Sequence, residues 1–260
     1  MEHVVITGGS RGIGFALAEE FLKRGYRVTI TGTSGASVHG ALSELSREYK
    51  NIHGAVCDVR DPESVEEVWE QAKETGGTVD IWINNAGVNQ PDEYLWNVSE
   101  KDTTAVIETN ITGVINGCRT AVRGMLKQES GRIYNMEGFG SDGMTRPRII
   151  LYGAAKRAVR YLTRGLAKET AGTGVLIGAL SPGMVPTDLL LGPMKKNSDE
   201  MKTFKKIVNI LGDTAENTAL FLVDRIEKDK KNGSRIARLT MLRILFRFLA
   251  APFRRQKLVR

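Results

Sequence analysis

Short β-branched runs alternate with longer stretches of helical period, a glycine cluster sits at the first strand-to-helix junction, and no low-complexity linker interrupts the body. Together these predict an α/β fold: a doubly wound, mostly parallel sheet with helices on both faces. The predicted strands are His3–Thr7, Arg27–Thr31, Ile52–Cys57, Ile81–Asn84, Gly131–Asn135 and Val175–Leu180. Helical patterns fill the gaps at Phe15–Arg24, Ser64–Thr75, Thr103–Gln128, Tyr152–Thr170 and near Glu200–Leu211. The expected organisation is one domain over residues 1–230 and a basic, amphipathic extension over 231–260.

A chain of 260 residues can bury one sizeable core, and its 41% apolar and 26% charged residues are those of a globular protein. Cys57 and Cys118, far apart, fit neither a disulfide framework nor a zinc site. No run of 18 apolar residues is present to span a membrane. The first strand begins at His3 or Val4, from which a cytoplasmic location is expected, or a chloroplast one if a leader has been removed. The net charge of +7 is concentrated at one end. Residues 231–260 hold nine Lys/Arg and no acid, leaving 28 basic against 30 acidic side chains in residues 1–230. The body is therefore not a nucleic-acid binder.

Val4-Val-Ile-Thr-Gly-Gly-Ser-Arg-Gly-Ile-Gly14 reads as strand, glycine turn and helix start. Gly8, Gly12 and Gly14 let the backbone approach a pyrophosphate at a helix N-terminus, the dinucleotide-binding arrangement of the Rossmann fold. At the end of the second strand an acid would hold the ribose hydroxyl of NAD, but no Asp or Glu lies between Val28 and Ser43. Thr33 and Ser34 stand there instead, and Arg11 in the turn can pair with a 2′-phosphate, so NADPH is expected over NADH. Asp58 and Val59 after the third strand, and Asn84-Asn-Ala-Gly87 after the fourth, fall where strand ends line the cofactor crevice. Tyr152 and Lys156, four apart on a helix, share one face; an ammonium beside a phenol favours the phenolate, and such a pair can protonate a carbonyl as hydride arrives.

In order and spacing, Thr7-Gly-Gly-Ser-Arg-Gly-Ile-Gly14, Asn84–Gly87, Asn110, Tyr152-Gly-Ala-Ala-Lys156 and Ser181-Pro-Gly183 with Thr187 resemble the short-chain dehydrogenases/reductases over roughly residues 3–190. The resemblance implies Tyr152 as acid/base, Lys156 on the nicotinamide ribose and Asn110 holding a relay water. It also implies cofactor contacts from Ser10, Ile13, Asn85, Ala86, Gly87, Pro182, Gly183, Val185 and Thr187, and a homodimer or homotetramer through the Asn110 and Tyr152 helices.

The family usually places two serines directly after the fifth strand. Counted from Asn135 those slots hold Glu137 and Gly138, counted back thirteen from Tyr152 the second falls on Phe139, and the nearest hydroxyl is Ser141, eleven residues before Tyr152. Either Ser141 takes over the polarising role or the carbonyl is held without a serine. The run Tyr134-Asn-Met-Glu-Gly-Phe-Gly-Ser-Asp-Gly143, with Arg146-Pro147 and Leu180–Leu190, resembles the chlorophyll b reductase branch. That resemblance implies NADPH-dependent reduction of the 7-formyl group of chlorophyll(ide) b. Gly138, Gly140 and Gly143 either make room for a flat tetrapyrrole or only form turns. Two other readings stand beside this one: a carbonyl reductase for another aldehyde or ketone, and a non-catalytic NADP(H)-binding protein. The stretch Thr240–Arg255 is basic and amphipathic, fit either to lie on an anionic membrane or to dock on the body or a second subunit with its arginines in solvent.

Overall fold

The computed structural model describes residues 1–192, 199–251, 258 and 259. Seven strands form one parallel sheet: β1 (His3–Ile6), β2 (Arg27–Gly32), β3 (Ile52–Val56), β4 (Ile81–Asn84), β5 (Gly131–Met136), β6 (Val175–Ser181) and β7 (Ser234–Ala237). Their spatial order is β3-β2-β1-β4-β5-β6-β7, so the strand order reverses between β1 and β4. At that switch point a crevice opens beyond the strands' C-terminal ends. The doubly wound expectation is met.

Side-chain alternation sorts the strands onto two cores. Val4, Ile6, Ile81 and Ile83 face a cluster with Leu17 and Phe21 of α1 (Gly12–Lys23) and Leu222 and Ile226 of α9 (Ala215–Lys228). Val5 and Trp82 face the other way, onto Val65, Val68 and Trp69 of α3 (Pro62–Gly76) and Ala121 and Met125 of α5 (Gly113–Gln128). Each fully buried aliphatic or aromatic side chain contributes about 1.5–3 kcal/mol.

Chain chemistry sets the helix ends. Asp61 caps α3 by accepting from Glu63 N at 3.0 Å, Pro62 occupies its first turn, and Gly77 at φ +79 closes it. The single helix expected over Thr103–Gln128 is three pieces: α4 (Glu100–Ile107), a π turn over Glu108–Thr112, and α5. α6 (Ile150–Glu169) and α8 (Asp199–Leu211) fall where expected, with a short α7 (Asp188–Leu191) between them.

Besides α7, the elements α9, α2 (Gly35–Leu45) and β7 lie where the sequence reading had none. α2 follows the polar turn, and Ser34, read there as a cofactor residue, is its cap. β7 falls beyond residue 230, where the sequence reading ends the domain, yet it pairs with β6 from Gly178↔Ser234 to Ser181↔Ala237. Residues 234–237 thus belong to the sheet.

The tail helix α10 (Met241–Ala250) reverses the expected orientation. Arg247 donates to Leu211 O and Gly212 O at 2.5 and 2.7 Å and pairs with Asp213 at 2.8 Å. Arg243 donates to Arg238 O at 2.8 Å and stacks over Phe221. Both arginines therefore face the body, and Arg247 satisfies C-terminal carbonyls of α8. Met241, Leu242, Leu245, Phe246, Phe248 and Leu249 point outward and are exposed. Of the basic tail residues, Arg254, Arg255, Lys257 and Arg260 lie outside the described residues.

Candidate active site

The glycine turn joins β1 to α1. Gly8 adopts φ +63, open to glycine, and a methyl group on Gly14 would sit 2.5 Å from Asn85 Nδ2, so the backbone here is as close as backbone can be. Asn85 Nδ2 bonds Thr7 O at 3.0 Å and Gly8 O at 2.9 Å, and Thr7 Oγ1 accepts from Asn85 N and Ala86 N. Asn85 and Ala86 thus brace the turn from behind. Thr7, quoted in the motif but given no role by the sequence reading, is the pin.

α1 begins at Arg11 without a side-chain cap, whereas α2, α3 and α9 are capped by Ser34, Asp61 and Thr214. Its first N–H groups are left for a ligand. That uncapped end beside a turn too tight for side chains fits the pyrophosphate of a nicotinamide dinucleotide. A methyl group on Gly12 would lie 3.3 Å from Thr187 Cγ2, so the 182–187 loop closes over the turn. In that loop Gly183 takes φ +79 and Val185 is buried.

At the end of β2, the hydroxyls of Ser10 and Ser37 converge over Gly32, each 3.0 Å from the space its Cβ would occupy. Arg11, Thr33 and Ser34 are exposed beside them, and Ile13 packs against the core. Asp58 is engaged elsewhere: Arg60 grips its carboxylate at 2.9 and 3.0 Å through Nε, holding it below the usual carboxylate range. Val59 is buried, and its carbonyl accepts from Asn116 Nδ2 at 3.0 Å.

The catalytic half hangs on α6. Tyr152 and Lys156 are both buried, at 8% and 3% exposure, with the Lys156 ammonium 5.7 Å from the Tyr152 ring centre. Tyr152 N donates to Gln90 Oε1 at 3.0 Å, tying the first turn of α6 to the loop after β4. Lys156 Nζ donates to Met136 O at 3.0 Å. A methyl group on Gly87 would lie 2.9 Å from Asn110 Oδ1 and 3.7 Å from Lys156 Nζ, so Gly87, Asn110 and Lys156 meet at one point. Met136 and Gln90 escaped the sequence reading because a backbone carbonyl and a lone glutamine carry no motif.

Two expectations change and a third is narrowed. Burial, not the ammonium, governs Tyr152, whose hydroxyl is pushed up to about 12, while burial lowers Lys156 to about 8 against the opposing charge of Glu137. The Asn110 side chain is partly engaged: its Oδ1 accepts from Val88 N at 2.9 Å and its Nδ2 donates to Val88 O at 2.7 Å, which leaves one amide N–H for a water. It sits in the π turn, where a widened helix loosens the regular carbonyl ladder. Ser141 has a different task as well. Its buried hydroxyl donates to Gly138 O at 2.6 Å and accepts from Gly138 N at 3.0 Å, which closes the loop on itself and leaves no donor for a carbonyl.

The bare glycines are explained by what touches them. Any side chain on Gly138 would overlap the Tyr152 hydroxyl, and Cβ on Gly140, at φ +91, would come within 2.5 Å of Gly153 Cα. Tyr152 itself fills the room that the first glycine leaves. Of the two serine slots, the second is thus occupied by the acid of the pair, and the first by Glu137, buried with Arg235 Nε at 2.8 Å.

At the rim, Tyr94 and Trp96 stack 4.9 Å apart with an interplanar angle of 1°, and the Arg148 guanidinium lies 4.9 Å over Tyr94. Trp96 is 80% exposed. Both rings are on the loop that also carries Gln90, and Arg148 stands four residues before Tyr152.

Residues 2–199 match the family described as short chain dehydrogenase. The chain belongs to that family. Among curated relatives, chlorophyll(ide) b reductase NOL of Oryza sativa subsp. japonica, a chloroplastic protein, is 40% identical over 239 residues, covering 89% of this chain and 68% of its own. The probable chlorophyll(ide) b reductase NYC1 of Arabidopsis thaliana is 38% identical over 272 residues, 97% of this chain but 53% of its own, so this chain spans about half of it. The 3-oxoacyl-[acyl-carrier-protein] reductase FabG of Vibrio cholerae is 34% identical over 203 residues, 76% of this chain and 78% of its own. Among solved structures, an actinorhodin polyketide ketoreductase with NADPH superposes with a TM-score of 0.82 at 25% identity, covering 91% of this chain and 95% of that one. A short-chain oxidoreductase with a nicotinamide-cofactor crevice is what family and geometry jointly establish.

Proposed function

We propose that the protein reduces the 7-formyl group of chlorophyll b or chlorophyllide b with NADPH. The observation that carries the chemistry is the buried Tyr152–Lys156 pair, brought against Gly87 and Asn110 at the C-terminal edge of the sheet. The pigment assignment draws on the likeness to NOL and NYC1 and on the flat Tyr94–Trp96 pair at the rim, an exposed platform matched to a planar ring. NADPH over NADH rests on the acid-free end of β2, with Ser10, Ser37 and Arg11 set to meet a 2′-phosphate.

A bound dihydronicotinamide would supply the hydride. Tyr152, kept protonated by burial, donates its phenolic proton to the carbonyl oxygen as negative charge develops there. The Lys156 ammonium, fixed on Met136 O, stabilises the phenolate left behind. Asn110 holds the Val88 backbone in place with its side chain and keeps one amide N–H for the relay water that family resemblance implies. With Ser141 closed onto Gly138, Tyr152 is the hydroxyl that meets the carbonyl.

Two assembly readings accompany this. The outward apolar face of α10 suits the headgroup boundary of a bilayer, and a flotation assay with anionic vesicles tests it. Among the described residues, no helix is long and apolar enough to cross a membrane. The groove between α5 and α6, lined by Ile115, Tyr161 and Leu166, suits a second copy, which light scattering of a Tyr161→Asp variant tests.

The deciding experiment incubates the protein with chlorophyll b, and separately chlorophyllide b, with NADPH or NADH. Conversion to the 7-hydroxymethyl pigment, followed by absorbance and abolished in Tyr152→Phe, is the expected result. Oxidation of NADPH by simple aldehydes with both pigments untouched would refute the pigment assignment and leave a reductase of other carbonyls.

A further inference from the structure

Glu137 stands in the first of the two slots where the family usually has serine, and its surroundings are unlike a hydroxyl's. Its side chain is 0% exposed. Its backbone N–H donates to Leu180 O at 2.7 Å, so β6 fixes its place. One carboxylate oxygen accepts from Arg235 Nε of β7 at 2.8 Å, while Arg235 also reaches Ser181 Oγ at 3.2 Å. The other, Oε1, has no hydrogen-bond partner, with the Arg160 Nε of α6 3.9 Å away. An uncompensated oxygen in so dry a place is costly, and a cation within reach offsets the cost. The adjoining residue, Met136, gives its carbonyl to the Lys156 ammonium.

We propose that Glu137 is a positioning residue for this reaction, its buried carboxylate holding the Lys156 ammonium charged so that Tyr152 can give up its proton. The inference rests on Tyr152 and Lys156 being the working pair. Around Lys156 stand Tyr152 on α6, Asn110 in the π turn, Gly87 after β4 and the Met136 carbonyl, and Glu137 lies between the two residues that pack on the lysine: Met136, through its carbonyl, and Gly138, where a Cβ would stand 3.2 Å from Lys156 Cγ. Of these, Glu137 is the charged one, and its charge opposes the burial that drives Lys156 toward neutrality. Arg235 and Arg160 set how much of that charge is left for Lys156. A serine in the slot could not do this. The edge strand β7 thereby enters the electrostatics of a site it does not touch directly.

The test is the titration of the Lys156 ammonium, read by NMR on lysine-labelled protein and assigned with Lys156→Met, beside the alkaline limb of kcat for carbonyl reduction. In Glu137→Gln, nearly isosteric and neutral, the Lys156 midpoint and the alkaline limb both move down by about one pH unit. Glu137→Asp, which keeps the charge, holds both with the parent protein. If Glu137→Gln does not fold, Glu137→Ser, neutral and with the hydroxyl the family usually places there, carries the test with the same downward shift. Unmoved midpoints in a folded variant, with only the melting temperature reduced, would overturn the proposal and make the carboxylate a purely structural partner of Arg235. Midpoints that move in a protein reducing no carbonyl would instead leave Glu137's action on Lys156 standing and sink the catalytic reading.

Discussion

The cofactor half of the crevice, from β1 to β4, is built from backbone; the catalytic half, from β5 to β7, is built from buried side-chain charge. In the first, Thr7 and Asn85 hydrogen-bond the main chain into a tight turn, and α1 leaves its N–H groups uncapped. In the second, a phenol and an ammonium are buried side by side, and behind them a carboxylate lies between two guanidinium groups. Backbone sites tolerate changes of neighbouring charge because dipoles do not titrate. Charge-built sites can be retuned by one residue, and misfire by one residue.

The comparison breaks most sharply at the acid. Tyr152→Phe should lower kcat about 10²- to 10⁴-fold while NADPH affinity, measured by fluorescence titration, stays within about twofold. If both collapse together, the two halves are not separable. Next in size is Gly138→Ser, which restores the residue the family resemblance leads one to expect. Its side chain would overlap the Tyr152 hydroxyl, and a displacement of about 1 Å costs about 100-fold in kcat, with cofactor binding spared. A fully active Gly138→Ser enzyme would contradict the packing described. On the other side of the crevice, Arg11→Ala should weaken NADPH about tenfold and NADH hardly at all, measured as paired dissociation constants.

How much of this could be read from the chain follows the same divide. The glycine turn, the Asn84–Gly87 run and the Tyr152/Lys156 pair are local patterns, and all lie together in the structure. Ser141 was legible as a hydroxyl near Tyr152, but not its closure onto Gly138, because the direction of a hydroxyl inside a glycine loop is a matter of packing. α2 was hidden by its polar start, although Val38, Ala41 and Leu45 keep a buried face. β7 was hidden because Ser234-Arg-Ile-Ala237 is four residues inside a basic segment, and only β6 beside it makes it a strand. Residues that work through long-range contact, Glu137 with Arg235 across 98 positions, leave no periodic trace at all.

A last test reaches the frame that both halves share. His3, the first residue of β1, is buried with Nε2 2.8 Å from Thr29 Oγ1, and burial, then Arg27, lowers it from 6.5 to about 4. A depressed folded value favours the folded state at a pH above about 6.5, and that contribution fades as pH falls toward 4. It amounts to about 3 kcal/mol by linkage. Melting temperatures of His3→Gln and the parent should therefore converge as pH falls from 6.5 to 4. Parallel curves would assign the acid sensitivity to other groups.

The position of β7 late in the chain also orders events in time. At synthesis rates of about 5–20 residues per second, roughly ten seconds pass between emergence of the β4 loop and of Arg235. Throughout that interval α1 waits for α9, against which Leu17 and Phe21 pack, and Glu137 waits for its guanidinium. The carboxylate is therefore among the last groups of the site to find its partner, and both halves of the crevice are completed from the same late stretch of chain.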